Sequence, residues 1–309
     1  MKYKKPPAKN PALPRTRTST TENHSAKAAA QTLTLPLLET LELSAFYGKR
    51  QILDSVSFSL KAGDFVCLSG PNGCGKSTLM TLLAGLGRNN LQTRGRILAE
   101  GRALSLFKSK ERARFLSYME QSESSLWNFT VFDIILSGRY CHTGFTALYS
   151  QEDKAIAHQV AEQLFLTPLL QRPCHSLSGG EFQRLRIARS LCQRPRVLLL
   201  DEPAANLDLG LRHDLLQITK ETARNQGAAV LMSIHDINLA AAFADTLALL
   251  RPLHSPAHRI EAIPESSFPQ LILGSPKEIM TVENLQRTYG RNFRVFTHPI
   301  HGGAAVWVE

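Results

Sequence analysis

The stretch Gly70-Pro-Asn-Gly-Cys-Gly-Lys-Ser77 fits the pattern G-x-x-x-x-G-K-[ST] at every required position. It follows Phe65-Val-Cys-Leu-Ser69, an apolar run typical of a buried strand, and precedes an apolar helix pattern over 78–85. Glycines in such a turn let backbone N–H groups approach phosphate oxygens, and the positive end of the next helix points at the same place. The stretch therefore predicts a phosphate-binding loop in an α/β fold. A chance glycine-rich turn is the alternative.

Two side chains of this loop have a predicted chemical role. Lys76 can reach the β- and γ-phosphates of a nucleotide, and the Ser77 hydroxyl can ligate Mg²⁺. Cys74 occupies a variable position of the pattern, where we favour a small tolerated side chain over a reactive thiol. The residues expected to contact the nucleotide are Gly70, Pro71, Asn72, Gly73, Cys74, Gly75, Lys76, Ser77 and Thr78.

The composition is that of an ordinary soluble globular protein, with 43% hydrophobic and 20% charged residues in a chain of 309. The most apolar stretch, residues 239–250, is too short for a membrane span and carries Asp245. No secretory signal pattern is visible at the start of the chain. The five cysteines are odd in number and lack C-x-x-C spacing, which predicts reduced cytosolic thiols and not a disulfide frame or zinc site.

The net charge of +10 is concentrated at the beginning of the chain. Residues 1–34 contain seven Lys or Arg and one Glu, and they are rich in Pro, Ser, Thr and Ala. We therefore predict a disordered basic tail, solvated in preference to tethered on anionic lipid. Because the rest of the chain is only mildly basic, its charge predicts no nucleic-acid partner.

The body of the chain divides into a core over 35–250 and a C-terminal extension over 251–309. Strand patterns at 197–200 and 229–234 flank a helix pattern at 209–225, which implies a mainly parallel sheet covered on both faces. Helical spacing at 133–136 and 155–170 predicts a helical insertion over about 122–176. We interpret the extension as irregular, with an insertion over 251–273 and a short helix at 281–287. In that insertion, His254 and His258 fit a surface loop better than a metal site.

Two carboxylates follow the buried strand pattern in Val197-Leu-Leu-Leu-Asp201-Glu202-Pro203. The carboxyl ends of parallel strands are where such sheets bind ligands. Asp201 is placed to hold Mg²⁺ through water, and Glu202 to orient or deprotonate an attacking water. An acidic turn is the alternative, which the upstream phosphate loop makes less favourable.

A second candidate anion-binding turn is Leu177-Ser-Gly-Gly-Glu181, here called the signature segment. A serine and two glycines at the start of a helix offer backbone N–H groups to phosphate. A capped helix with flexible glycines is the alternative. It explains the helix, but it gives no reason for Ser-Gly-Gly-Glu followed by Gln183-Arg184 about eighteen residues before Asp201-Glu202.

The ordered set of motifs resembles the nucleotide-binding subunits of ABC transporters. It comprises the phosphate loop, Gln121 after a strand, the signature segment, the Asp201-Glu202 strand, Asp208 and His235. The resemblance implies a P-loop NTPase core with an antiparallel β subdomain and a helical insertion. It also implies ATP and Mg²⁺ as ligands, and a homodimer that clamps ATP between one copy's phosphate loop and the other's signature segment.

The resemblance further implies individual roles. Tyr47 would stack on adenine, and Gln121 would reach Mg²⁺ and the attacking water while sensing the membrane partner. Ser178 and Gly180 would bind the γ-phosphate across the dimer, with Gly179 also contacting the nucleotide, and Asp208 would line the dimer contact. His235 would contact the γ-phosphate and help organise Glu202 and the water. Considered alone, Tyr47 fits a turn, Gln121 a polar loop, and His235 a hydrogen-bonded residue at a strand end.

Two further stretches resemble the importer branch for metal chelates such as iron-siderophore, haem and cobalamin. They are Phe129-Thr-Val-Phe-Asp-Ile-Ile-Leu-Ser-Gly-Arg139 and the segment from Gly274 to Pro299. The resemblance implies a peripheral protein on the cytoplasmic face of the inner membrane, beneath a permease and indirectly served by a periplasmic or extracellular binding protein. Trp127 and Phe129 are candidates for the permease groove near 121–129, or for core aromatics.

A soluble non-transport ABC ATPase is the alternative function. Repair proteins with this ATPase domain would need a long coiled coil between the phosphate loop and the signature segment. Translation factors would need two such domains in one chain. Neither pattern is present in this sequence. An assembly factor is the version that the motifs disfavour least.

Overall fold

The structure is a computed structural model that describes residues 35–87, 90–121, 128–144, 148–205, 207–253, 268–298 and 302–309. The predicted basic tail, Trp127, His254 and His258 lie outside the described residues. In the described part of the chain, no helix combines the length and apolar character that a membrane crossing requires.

Strands and helices alternate along the chain. The strands are β1 Leu38–Tyr47, β2 Arg50–Leu60, β3 Phe65–Ser69, β4 Leu91–Ala99, β5 Arg102–Ala103, β6 Leu116–Met119, β7 Val197–Asp201, β8 Ala229–Ser233, β9 Thr246–Leu250, β10 Leu271–Gly274, β11 Phe293–Thr297 and β12 Ala304–Val308. The helices are α1 Lys76–Leu83, α2 Ser109–Phe115, α3 Val131–Ser137, α4 Gln151–Gln163, α5 Gly179–Cys192, α6 Leu209–Asn225, α7 Ile237–Phe243, α8 Pro276–Ile279 and α9 Val282–Tyr289.

A six-stranded sheet in the order β10-β9-β3-β8-β7-β6 forms the centre of the fold. All neighbouring strands in it are parallel except β10, which runs antiparallel to β9. Alternate residues of β3 enter two different cores: Phe65 and Cys67 pack with the helices on one face, while Val66 and Leu68 pack with α1 and the second sheet. The predicted parallel sheet covered on both faces is thereby confirmed.

The second sheet is antiparallel, in the order β2-β1-β4-β5. The period-two pattern over 55–60 lies in β2, which pairs with β1 along most of its length. Between β6 and β7 the described residues form α3, α4 and α5, joined by short 3-10 turns. The P-loop core, the antiparallel β subdomain and the intervening helices match the predicted fold class.

The C-terminal segment differs from the irregular structure that the sequence predicted. Residues 271–274 form β10, the antiparallel edge strand of the central sheet, and residues 293–308 contain the β11–β12 hairpin. These strands are four or five residues long, so their apolar alternation covers too few positions to stand out in the sequence. The short helix predicted at 281–287 corresponds to α9.

Candidate active site

An open cleft of about 490 Å³ lies at the carboxyl ends of β3, β7 and β8. Most of the residues predicted to bind or hydrolyse a nucleotide line it, although they come from five separate parts of the sequence. The lining residues are Tyr47, Arg50, Ile52, Asn72, Gly73, Gly75, Lys76, Ser77, Thr78, Gln121, Glu202 and His235. Arg50 and Ile52 were missed by the sequence analysis, although Arg50 pairs with Tyr47 at the turn between β1 and β2.

The phosphate loop is held in shape by its own lysine. The Lys76 ammonium donates to the carbonyl oxygens of Gly70 at 2.7 Å and Pro71 at 3.2 Å, and the residue is only 6% exposed. Gly70 has no space for a side chain, because an added Cβ would lie 2.2 Å from the Leu250 carbonyl oxygen. Gly75 precedes α1 with a φ of 110°, a region that favours glycine.

Gly70, Pro71 and Cys74 belong to the loop but do not line the cleft. The Cys74 side chain is buried, and burial raises the pKa of its thiol above the ordinary value. A buried thiol that stays protonated is a poor nucleophile, which agrees with the small tolerated side chain favoured from the sequence. Any contact of Cys74 with a nucleotide is therefore left to its backbone.

Glu202 lies between two other predicted catalytic residues. Its Oε2 accepts a hydrogen bond from the Gln121 amide nitrogen at 2.8 Å, and its Oε1 lies 2.5 Å from His235 Nε2. The Glu202 side chain is largely buried, whereas that of His235 is half exposed. The structure therefore brings together a carboxylate that can accept a proton and two groups that can orient it.

The backbone at Glu202 is unusual. Its φ is 52°, a left-handed conformation that costs a non-glycine residue on the order of 1–3 kcal/mol. Two side chains from other elements secure it. Ser233 accepts a hydrogen bond from the Glu202 N–H at 2.8 Å, and Gln183 donates to the Pro203 carbonyl at 2.7 Å. Neither residue was singled out from the sequence, although Ser233 ends a buried strand beside Asp201.

Asp201 has the features expected of a magnesium-site carboxylate. It is 1% exposed, its Oδ1 accepts from the Ser233 hydroxyl at 2.5 Å, and its Oδ2 has no hydrogen-bond partner among the described residues. A buried carboxylate oxygen without a donor is costly unless a ligand or water completes it. Ser77 adds a hydroxyl in the cleft. A carboxylate and a hydroxyl are oxygen ligands of the kind that Mg²⁺ takes, with phosphates and water completing its shell, although Asp201 itself does not line the cleft.

The signature segment is not part of this cleft. Ser178 and Glu181 cap α5 reciprocally: the Ser178 hydroxyl and N–H both donate to Glu181 Oε2 at 2.8 Å, and the Glu181 N–H donates to the Ser178 hydroxyl at 3.3 Å. These bonds lower the pKa of Glu181 below its ordinary value. Ser178 and Gly179 are exposed. Asp208 likewise caps α6 by accepting from the Leu211 N–H at 2.9 Å.

One arginine connects the signature helix α5 to the loop that carries Gln121. Arg186 donates to the backbone carbonyls of Glu120 and Gln121, the second at 3.4 Å, and to Gln183 Oε1 at 3.0 Å. Gln183 in turn holds the backbone after Glu202. The signature helix is therefore hydrogen-bonded to the loop that carries Gln121 and to the loop that carries Glu202. No pattern in the sequence predicts this link.

The Gly138-Arg139 pair of the branch motif packs against the other end of α5. A Cβ added at Gly138 would lie 2.3 Å from the Arg189 carbonyl oxygen. Arg139 is buried, pairs with Asp153 at 2.8 Å and donates to the Cys192 carbonyl at 3.1 Å. Through these contacts, Gly138 and Arg139 hold the helical region against α5. Phe129, in contrast, is 51% exposed and does not belong to the core.

Comparisons with known proteins agree with this site. The family model described as ABC transporter matches residues 53–205. The hemin import ATP-binding protein HmuV of Gloeobacter violaceus is 35% identical over 257 residues, covering 81% of this chain and 86% of the relative. The ferric enterobactin transport ATP-binding protein FepC of Escherichia coli K12 is 31% identical over 261 residues, covering 84% and 90%.

Two further matches extend the comparison. YvrA of Bacillus subtilis, an uncharacterized ABC transporter ATP-binding protein, is 33% identical over 253 residues, which cover 78% of this chain and 57% of YvrA. A solved inward-facing structure of a metal-chelate type ABC transporter superposes with a TM-score of 0.71 at 27% identity, covering 89% of this chain and 98% of that one. From its motifs, its fold and these relatives, the chain belongs to the ABC transporter family as an ATP-binding subunit whose ATPase activity is coupled to transport.

Proposed function

We propose that this subunit energises the uptake of a metal chelate, such as an iron-siderophore, haem or cobalamin, through a separate membrane permease. The observation that carries the proposal is the near full-length similarity to HmuV and FepC, whose names give hemin and ferric enterobactin as cargo. The metal-chelate type of the superposed transporter supports the same branch. The subunit would work peripherally, on the cytoplasmic face of the inner membrane.

The chain's own residues supply the parts of the hydrolytic step. Lys76 and the backbone of residues 70–78 would bind the phosphates, and Tyr47 would stack on adenine. Ser77 and Asp201, with Gln121, would hold Mg²⁺. When bound, this ion neutralises charge on the phosphates. Glu202, held by Gln121 and His235, would accept the proton of the attacking water.

The ATP site would be completed by a second copy of the chain. Ser178, Gly179 and Gly180 lie outside the cleft that contains Lys76, and Ser178 and Gly179 are open to solvent. In a head-to-tail homodimer these residues would bind the γ-phosphate held by the other copy, and Asp208 would line the contact. ATP binding would then draw the copies together, and hydrolysis would release them, which is a ligand-driven shift between two states.

The permease would bind near residues 121–129. Gln121 and Phe129 are the described residues of this region, and residues 122–127 lie outside the described part of the chain. Phe129 exposes an aromatic ring beside the start of α3, as a docking surface for an apolar side chain requires. Because Gln121 bonds Glu202, movement of this region would reach the hydrolytic carboxylate directly. A binding protein on the other side of the membrane would take part only through the permease.

Deletion and complementation test the cargo. A strain lacking this chain should grow poorly on at least one of an iron-siderophore, haem or cobalamin as limiting source. Wild-type protein should restore growth, whereas Glu202→Gln should not. The exposed Glu162, in α4, provides a matched control, because Glu162→Gln should restore growth fully.

Co-purification distinguishes the transport role from the alternative. The tagged chain should bring down a polytopic membrane protein from detergent extracts. Normal growth of the deletion strain on all three sources would contradict the metal-chelate proposal. If in addition no membrane protein co-purifies while ATP hydrolysis persists, the soluble non-transport ATPase would be the better account.

A further inference from the structure

A contact from the C-terminal segment reaches the base of the phosphate loop. The Tyr289 hydroxyl, at the end of α9, lies 2.8 Å from the Ser69 hydroxyl. Ser69 is the last residue of β3, is completely buried, and immediately precedes Gly70. The two residues are 220 positions apart in the sequence, so the bond ties the end of the chain to the loop that binds phosphate.

The surroundings keep this tyrosine neutral and fixed. Burial raises the pKa of Tyr289 to about 12, so its phenol remains protonated throughout the physiological range. Its ring packs at a tilt against Phe293, with the ring centres 5.7 Å apart. Phe293 is itself buried in the core that covers the helical face of the central sheet. The ring that presents the hydroxyl to Ser69 is therefore supported by packing against this core.

Packing around Gly70 would transmit a displacement of Ser69 to the site. Gly70 fits tightly, since an added Cβ would lie 3.0 Å from the Cys74 sulfur as well as 2.2 Å from the Leu250 carbonyl oxygen. The Gly70 carbonyl oxygen accepts the 2.7 Å hydrogen bond from Lys76. A small shift of Ser69 would therefore move the carbonyl oxygen that anchors Lys76 in the cleft.

The same C-terminal segment is also hydrogen-bonded to the other side of the site. Asn238, in α7, donates to the Val306 carbonyl at 3.1 Å and accepts from the Val306 N–H at 2.8 Å. Asn238 lies three residues after His235 in the chain. The β11–β12 hairpin is thus bonded to the helix that follows His235, and α9, which leads into the hairpin, is bonded to the phosphate loop.

We propose that Tyr289 is a positioning residue for ATP binding, acting through its hydrogen bond to Ser69. The C-terminal segment would hold the phosphate loop and the His235 region in fixed relation, so that the loop binds phosphate without reorganising first. The matched family model ends at residue 205, far before this segment. The proposal rests on the ATPase activity and is independent of which cargo the permease carries.

The test is nucleotide binding and hydrolysis by the purified full-length chain. Tyr289→Phe keeps the ring and removes the hydroxyl, and Ser69→Ala removes the other partner. Each should raise both the Kd for ATP and the KM about two- to tenfold, the value of one hydrogen bond, with kcat within about twofold. The double variant should bind ATP no more weakly than either single variant, because both remove the same bond.

Tyr149→Phe is the matched control, because Tyr149 is a partly buried tyrosine of the helical region whose pKa burial likewise raises. Its Kd for ATP should not change. A Tyr289→Phe protein with unaltered Kd and KM overturns the proposal. So does one in which the melting temperature without ATP falls while the further rise produced by ATP equals that of wild type, because that pattern describes a purely structural contact.

Discussion

The phosphate loop and the signature segment each present glycines at the start of a helix, yet their surroundings in one chain differ completely. The phosphate loop faces Gln121, Glu202 and His235 across the cleft. Ser178 of the signature segment bonds only to its own helix start among the contacts described for it, and lies outside that cleft. The same type of turn is thus surrounded by reactive groups in one case and open to solvent in the other.

Glycines at the start of a helix therefore do not by themselves assemble an active site. The residues that face the phosphate loop follow neighbouring strands of one sheet, where parallel strands end together. The signature segment is exposed to solvent on one side, and its helix is hydrogen-bonded to the rest of the chain. This is expected of a surface that contacts another molecule. A homodimer would bring the two kinds of turn face to face.

The largest effect is expected on the phosphate-loop side, from Glu202→Gln. An amide cannot accept the proton of the attacking water, so hydrolysis should fall by about 10²–10⁴-fold while ATP still binds. Single-turnover hydrolysis and equilibrium ATP binding measure the two quantities separately. Glu162→Gln should leave both unchanged. If the Glu202→Gln protein hydrolysed ATP at the wild-type rate, the Glu202 carboxylate would have no role in hydrolysis.

Mixing two inactive variants tests whether the two turns meet across a dimer. Lys76→Ala should disable the phosphate loop, and Gly179→Arg should disable the signature segment without disturbing the fold, because a Cβ at Gly179 meets nothing within 4 Å. A mixed dimer would retain one site with an intact loop from one copy and an intact signature from the other. Equal mixtures should therefore recover up to about a quarter of wild-type hydrolysis, for random pairing in a two-fold dimer.

The control for this mixture is Gly144→Arg, at an exposed glycine whose added Cβ also meets nothing within 4 Å. That variant alone should hydrolyse ATP normally. A mixture of the first two variants that is no more active than the average of its components would show that each chain builds its sites alone.

A smaller effect, on stability, is expected from Gly138→Ala behind the signature helix. The added methyl group would overlap the Arg189 carbonyl oxygen and push α5 away, at a cost of about 1–3 kcal/mol in the free energy of unfolding. Denaturant unfolding measures the cost, with Gly144→Ala as control. ATP affinity of the phosphate loop should change little, whereas hydrolysis should fall. If ATP affinity and hydrolysis fell equally, the phosphate loop and the signature segment would not be independent of each other.

The sequence predicted the parts of the site whose neighbours lie close in the chain. The phosphate loop, Asp201 and Glu202 follow strands that their apolar runs already indicated, and the sheet then brings those strand ends together. Tyr47, Gln121 and His235 could be placed only through the family resemblance, and the structure finds all three at the cleft. Their roles toward ATP remain predictions.

The contacts that the sequence could not give are those between distant segments. Arg186 on the Gln121 loop, Ser233 on Asp201 and Tyr289 on Ser69 each join residues more than 30 positions apart. No local periodicity encodes which polar side chain will meet which carbonyl or hydroxyl. The Gly138-Arg139 pair shows the reverse case: its motif was visible, but its packing role against α5 required the structure.

The bond between Arg186 and the Gln121 loop has a consequence for timing. If two copies pair as proposed, a pull on one copy's loop displaces its own signature helix, and that helix closes over the nucleotide of the other copy. Movement of one half of the permease would then reach both nucleotides at the same time. It would reach one nucleotide through Glu202 and the other through Ser178. The Arg186 guanidinium would thereby synchronise the movement of the Gln121 loop with that of the signature helix.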